Sequence, residues 1–425
     1  QSEKNFGYKI SFDFKLFFPK VFREKGGFDV VIANPPYISF GLRGTGKIRK
    51  EMENYLRKNY PNSAEYKISI YAIFIDKGIQ LLSTNGILSY ITPDSFLLGR
   101  YFSKLRSFIL RTSAIKLILM FEEDFWESGV VGRPVIIILQ KELDVEKRRN
   151  NFVTSILIKG NKLSEENMSS YSYPQYYFET TPFNRFRLFF NNFDKHFVEK
   201  IEKNNITLSS VVSFASGLIG KEGKSKIISK KKLGENWLPG LVSGDEINKY
   251  LINYAGNFIL FDIKKLKSGF KEANYFEPKL FLRQTGDSLI AAYDTHNLLC
   301  LNNLHVVNLK DKKYDLRYIL ALLNSKLLNY YYRVISLEFG RTLAQIDIDT
   351  VELLPIPPLS PQNEPIVEEL VSLVSQILSH TQSKNYLSDP QKQAEVKELE
   401  KEIDRLVYKL YGLTEAEIKT IEDRM

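Results

Sequence analysis

The segment Gly26-Gly-Phe-Asp-Val-Val-Ile-Ala-Asn-Pro-Pro-Tyr37 constrains this chain more than any other. Two glycines open it, Val30 to Ala33 with Phe28 ahead form a short apolar, β-branched run, and two prolines close it. An apolar run without polar alternation fits a strand covered on both faces, as in the parallel sheet of an α/β fold. Pro35 and Pro36 have no N–H with which to continue a ladder, so Asn34 falls just past the strand's C-terminal end.

The residues after Tyr37 keep the α/β rhythm. Apolar residues recur at helical spacing from Ile68 to Leu82, and Ser83-Thr-Asn-Gly86 is predicted to end that helix with a turn. Ile87–Thr92 is predicted as a buried strand stopped by Pro93, Phe102–Leu110 as a helix, and Ile115–Phe121 and Pro134–Gln140 as strands. This alternation predicts an α/β sheet ending in a hairpin. Residues 146–205, with Tyr-rich SSYSYPQYY, read as a connector holding one strand (Phe152–Ile158) and a helix near Phe193–Lys203. Residues 206–360 read as short strands, glycine turns and one strong helix, Leu316–Tyr332. PIPPLSP then stops the chain before a helical tail, 361–425. There Leu399, Ile403, Leu406, Val407 and Leu410 make one stripe, Gly412 suits a C-cap, and Thr414 with Glu417 forms a capping box.

Composition narrows the class. At 425 residues with 44% apolar and 26% charged residues, the chain can bury more than one core. Its single cysteine, Cys300, cannot form an internal disulfide, which fits a reducing cytoplasm. No apolar run is long enough to span a membrane and the start has no signal-peptide core, so no membrane association is expected. The first residue is Gln1 rather than Met, from which the sequence is expected not to start where its gene does. The net charge of +9 is uneven: +9 over residues 1–200, +7 over 201–340 and −5 over 361–425. That distribution suits a polyanion held between two lobes, with solubility alone as the plainer account.

Asn34-Pro35-Pro36-Tyr37 carries the chemistry. Ligands of open α/β sheets sit at the C-terminal strand ends. An exocyclic amine on a purine is a weak nucleophile because its lone pair is delocalised into the ring. Two acceptors set against its N–H bonds favour the tetrahedral, nucleophilic form in the transition state. Asn34 offers a side-chain carbonyl, Pro35 a backbone carbonyl on a rigid segment, and Tyr37 a flat face for an extruded base. The plainer account makes Asn-Pro-Pro a strand terminator and Tyr37 a core aromatic.

FDVVIANPPYI resembles motif IV of the amino-group DNA methyltransferases. IYAIFIDKGIQLLSTNGILSYITPDSFLLGRYFSKLRSFIL resembles their next helix, strand and helix, and FEEDFWESGVVGRPVIIILQK their last hairpin. LVSGDEINKY, FEPKLFLRQTG, YILALLNSKLLNYYYR and LLPIPP are similar to the TaqI-like C-terminal specificity domain, and EIDRLVYKLYGLTEAEI to the closing helices of type IIG restriction-modification enzymes. The resemblance implies a partial Rossmann-like methyltransferase sheet over 1–145, a mixed α/β target-recognition domain over 206–360 and the helical tail. It implies methyl transfer from S-adenosylmethionine to the N6 amine of a flipped adenine in double-stranded DNA. It places Asn34, Pro35, Pro36 and Tyr37 at the catalytic centre and Trp126, or Phe125 with the alignment one residue earlier, on the other face of the base. The glycine turn and acidic residues that hold the cofactor in that family have no counterpart before Gly26, so this stretch alone is expected to be inactive. Two rivals stand beside it: a protein glutamine methyltransferase, which also uses an NPPY loop, and a DNA-binding module without catalysis.

Other signals are weaker. Gly41-Leu-Arg-Gly-Thr-Gly-Lys47 has a phosphate-loop skeleton, but Ile48 stands where a magnesium-binding hydroxyl is needed. Arg43, Lys47, Arg49 and Lys50 read better as a loop on the DNA backbone. Lys221, Lys224 and Lys226, followed by Lys230 to Lys232, could contact phosphates or be a solvated run. Arg283, Gln284 and Arg341 have the side chains used to read base edges. The four histidines show no metal spacing, and no metal is expected. Oligomeric state and target sequence are not legible.

Overall fold

The computed structural model describes residues 12–40, 48–66, 68–123, 132–160, 162–338, 340–341 and 344–425. The chain divides into two compact units, Gln1–Lys195 and His196–Met425.

The first unit is built on a six-stranded sheet. Helix α1 (Pro19–Lys25) leads into β1 (Phe28–Ala33). Helices α2 (Lys50–Asn59) and α3 (Ile70–Leu81) cross over to β2 (Leu82–Pro93). Then come α4 (Ser103–Thr112), β3 (Ser113–Phe121), β4 (Pro134–Lys141), β5 (Phe152–Ile158) and β6 (Met168–Pro174). Strand order is β1-β2-β4-β3-β5-β6. The pairs β1–β2 and β3–β5 are parallel, whereas β4 runs antiparallel to both neighbours. Buried Tyr71, Ala72, Ile75 and Ile79 give α3 its core face.

Three expectations are revised here. Ser83–Gly86 does not form a separate turn; it is a bulge inside β2, where the register moves from Phe28 opposite Leu82 to Val30 opposite Ile87. The Ser83 hydroxyl donates to the Phe28 carbonyl at 3.2 Å, and Asn85 takes a left-handed φ of 66°, so turn-forming residues are absorbed into the ladder. The Tyr-rich stretch is strand rather than loose connector: Tyr171 and Tyr173 alternate with serines at period two. Tyr173 is buried, with its ring edge-on to Tyr177, Phe178 and Phe189. Finally, β1 is parallel as expected but not covered on both faces. It is an edge of the sheet among the described residues, with Val30 54% and Ile32 75% exposed.

The second unit includes α5 (Asn192–Glu202) and eight main strands. These are β7 (Val212–Ser216), β8 (Ile228–Ser229), β9 (Trp237–Leu241), β10 (Phe258–Leu260), β11 (Lys279–Arg283), β12 (Ala291–Asp294), β13 (Leu299–Cys300) and β14 (Leu304–Leu309). They make two four-stranded sheets, β7-β14-β11-β12 and β8-β10-β9-β13. Leu241, Ile259, Phe281, Leu299, Cys300 and Val306 share the core of this unit. The predicted single helix Leu316–Tyr332 is two, α6 (Leu316–Asn324) and α7 (Lys326–Ser336). Ser325 is extended, and its hydroxyl accepts from Leu328 N to cap α7. The break leaves Asn324 paired with both backbone groups of Ala291, at 2.9 and 3.0 Å. Helices α8 (Glu364–Thr381), α9 (Pro390–Leu410) and α10 (Glu415–Arg424) complete the unit. Helix α8 packs on α6 and α9, Gly412 adopts φ 65°, and Thr414 and Glu417 make the expected capping box.

Candidate active site

Asn34 follows β1 directly, and the parallel neighbour β2 ends at the same side of the sheet, with Ala33 opposite Tyr90. Pro35 is buried, while Asn34 and Pro36 are exposed and Tyr37 half-buried. The chain turns so that the Tyr37 hydroxyl donates to Asn34 Oδ1, and the Tyr37 hydroxyl oxygen also lies 3.3 Å from the Ile91 carbonyl of β2. Burial pushes the Tyr37 phenol up to about 12, so it stays a neutral donor across the physiological range.

The geometry adds a hydrogen-bonding contact to Tyr37 that its aromatic ring alone does not imply. A carbonyl oxygen has two lone pairs, and Tyr37 occupies one side of Asn34 Oδ1, leaving the other for an incoming N–H. The phenol thus holds the Asn34 side-chain amide in place, a contact that the sequence motif did not reveal. Its ring remains the flat element beside the strand end.

At the end of β2, buried Asp94 ties in the chain returning to β4. Asp94 N donates to the Arg133 carbonyl at 3.0 Å, and Arg133 N donates to Asp94 Oδ1 at 3.2 Å. A Cβ on Gly132, whose φ is 120°, would lie 2.7 Å from that carboxylate, so the approach needs glycine. Behind this edge, Arg106 of α4 donates to four carbonyls: Phe96 and Gly99 at 2.7 and 2.8 Å, and Phe183 and Asn184 at 2.9 Å each. It is fully buried, which pushes its guanidinium down to about 9, still charged at neutral pH. Neither Asp94 nor Arg106 stands out in the sequence, because their partners are backbone atoms brought close only by the fold.

Of the other candidates in this unit, Arg43, Lys47, Phe125 and Trp126 lie outside the described residues. In the second unit, Lys221, Lys224 and Lys226 are exposed. Pairing of Ile219–Gly220 with Leu266–Ser268 sets a second lysine group beside them. Lys221 N and Nζ donate to the Lys265 and Lys264 carbonyls at 2.9 and 2.8 Å. Lys264, Lys265 and Lys267, some forty residues on, therefore share this basic face, which sequence distance had hidden. Arg283 and Gln284 stand at the end of β11, with Arg283 Nη2 2.6 Å from Asp245 Oδ1. Arg341 pairs with Glu338 at 2.8 Å, and the bridge between Thr285 and Gln345 links the two segments. Among the described residues no group of three or more His, Cys, Asp or Glu could hold a metal ion, and no helix is long and apolar enough to cross a membrane.

An α/β sheet with hydrogen-bond acceptors at a strand end is followed in this chain by a β-rich unit that carries an exposed lysine face. Residues 2–126 match the family of the Eco57I restriction-modification methylase, and residues 240–356 match the TaqI-like C-terminal specificity domain. Two segments of the chain thus match two family models, and the chain is similar to type II restriction-modification methyltransferases. It is 27% identical over 416 residues to the putative type II restriction enzyme and methyltransferase RM.MjaORFECS2P of Methanocaldococcus jannaschii, covering 94% of this chain and 32% of that protein. It is 32% identical over 114 residues to the type II methyltransferase M.BstVI of Geobacillus stearothermophilus, 27% of this chain and 19% of that one. The chain spans about a third of the length of the first of these relatives. In fold it is similar to the type IIL restriction-modification enzyme MmeI in complex with DNA, with a TM-score of 0.57, 15% identity and coverage of 93% of this chain and 56% of that one. The DrdV–DNA complex gives a TM-score of 0.51 at 8% identity, covering 86% and 45%.

Proposed function

We propose that this chain works as part of a site-specific DNA methyltransferase of a restriction-modification enzyme, and that the target is the N6 amine of an adenine turned out of the duplex. The observation that carries the reading is the strand end itself. Asn34 is exposed, its Oδ1 is held by the Tyr37 hydroxyl, and the next residue's carbonyl, that of Pro35, lies on a segment that two prolines make rigid.

In this reading Asn34 Oδ1 and Pro35 O each accept one N–H of the amine. That removes lone-pair density from the purine ring as the nitrogen becomes tetrahedral, so the two bonds strengthen toward the transition state. Pro36 fixes the turn, Tyr37 stacks on one face of the base, and Trp126 takes the other. Lys221, Lys224, Lys226, Arg43 and Lys47 hold the phosphate backbone, and Arg283, Gln284 and Arg341 face base edges.

S-adenosylmethionine is the methyl donor in this reading. One face of β1 beside Asn34 presents Val30 and Ile32 to solvent, and the strand's one carboxylate, Asp29, is bound to Lys25 at 2.5 Å. Segments that complete the donor's pocket would be laid against this apolar face.

The test is Asn34→Ala in the complete enzyme. One preorganised transition-state bond is lost, and single-turnover methylation should slow by about a hundredfold or more. DNA binding, which rests on phosphate contacts and stacking, should stay within about twofold. A near-normal rate, or binding that falls in step with rate, overturns the role given to Asn34.

A further inference from the structure

The two arginines able to read bases differ from the lysine face in one respect. Each is already joined to a carboxylate. Arg283 Nη2 meets Asp245 Oδ1 at 2.6 Å and Arg341 Nη1 meets Glu338 Oε1 at 2.8 Å. No carboxylate is paired with Lys221, Lys224 or Lys226 among the described residues.

The position of Asp245 is built rather than incidental. Its turn, Gly244–Glu246, is closed by a capping box with Ser243, and Glu246 accepts from Val242 N, Ser243 N and Ala255 N at 2.7 to 3.0 Å. Gly244 lies over Arg283: a Cβ there would sit 3.5 Å from Arg283 Cγ and 3.6 Å from its Nε. Glu246 therefore pins the turn, and the turn delivers Asp245 onto the guanidinium. The Asp245 side chain is 83% exposed, that of Arg283 22%. Close by, the Arg283 Nε donor and the Asn303 Oδ1 acceptor are buried without hydrogen-bond partners, and Gln284 N donates to the Asn303 carbonyl at 3.1 Å. A cluster that leaves a donor and an acceptor unmatched lacks the partners that buried polar groups ordinarily have.

From this we infer that Asp245 is a specificity-determining residue: it holds Arg283 as a net-neutral, preoriented fork that reads a base edge, a guanine, instead of a phosphate. The inference rests on the DNA-recognition reading of this unit. A phosphate approaching Arg283 meets the Asp245 carboxylate and displaces few counterions, because the pair carries no net charge. A guanine edge offers O6 and N7 acceptors without charge, and the fork's remaining donors match them in one plane. Asp245 is a positioning residue here, acting through Arg283.

The experiment selects duplexes from a randomised pool with the 425-residue chain and with Asp245→Asn, Asp245→Ala and Arg283→Lys, then measures affinity for selected and unrelated duplexes across a salt series. The wild-type chain should enrich a motif with a guanine at one position. Asp245→Asn, at an exposed site, should keep its fold, and its salt slope should hold or steepen by up to about 0.9 as the guanidinium is freed. Its preference at that one position should fall about tenfold, while affinity for unrelated DNA is equal or higher. Arg283→Lys should lose the same position. If both Asp245 variants keep full preference, the inference is overturned while the DNA reading stands. If Arg283→Lys keeps the preference at that position with the salt slope unchanged, a positive charge alone suffices there, Arg283 is a phosphate contact and the inference fails. A wild-type chain that binds and selects no duplex overturns the recognition reading itself, and the inference with it.

Discussion

At the scale of single residues, the division of labour between Asn34 and Tyr37 is the point most open to measurement. The phenol does two things that one substitution separates: it orients Asn34 Oδ1 through its hydroxyl and presents a ring. Tyr37→Phe keeps the ring and removes the donor. The expected result in the complete enzyme is a single-turnover rate lowered about tenfold with DNA affinity unchanged, since a mispositioned acceptor weakens only the transition-state bond. Tyr37→Ala should also lose binding of the extruded base. Equal rates for Phe and wild type would mean that the hydroxyl does not position Asn34. The four residues stand out as candidates because prolines, an amide and an aromatic in this order are chemically distinctive. The hydroxyl's partner does not, since nothing in a linear order states which way a side chain turns.

Among the secondary elements, the connections behind the site decide how rigid it is. Arg106 clamps α4 to the segment after β2 and to residues 183–184 through four carbonyls in a fully buried position. Arg106→Met fills similar volume but leaves those acceptors unmatched, and each buried unsatisfied group costs about 1–3 kcal/mol. A net loss of about 3 kcal/mol is expected, read as a lower urea midpoint at constant slope. Lysine at this position should rescue little, because one ammonium cannot span four acceptors. A midpoint unchanged in Arg106→Met would remove the clamp from the account. Elements with strong periodicity, such as α3, α9 and β3, were legible. The break at Ser325 was not: apolar spacing runs on through it, and the gain that favours the break is Asn324 bonding to Ala291, a partner 33 residues away.

For the molecule as a whole, the basic balance of the first two thirds has a direct consequence. Duplex binding by this chain should weaken steeply with salt, as exposed lysines displace condensed counterions. Roughly 0.9 is expected in the log–log slope for each phosphate neutralised. Replacing Lys221, Lys224 and Lys226 together by Gln should lower that slope by about 2–3 in an anisotropy titration, and an unchanged slope would take these lysines out of the DNA contact. The sequence by itself determined the α/β class, the strand that ends at Asn34, the tail's apolar stripe and its capping box. All of these are written in neighbours a few residues apart, where turn chemistry and periodicity act. Only the tertiary structure decided that the Tyr-rich stretch joins the sheet, that Lys264, Lys265 and Lys267 stand beside Lys221, and that Asp245 meets Arg283. Those pairings lie tens of residues apart. They are fixed by which strands share a ladder and which turns the core holds in place, and short-range pattern carries no information about either.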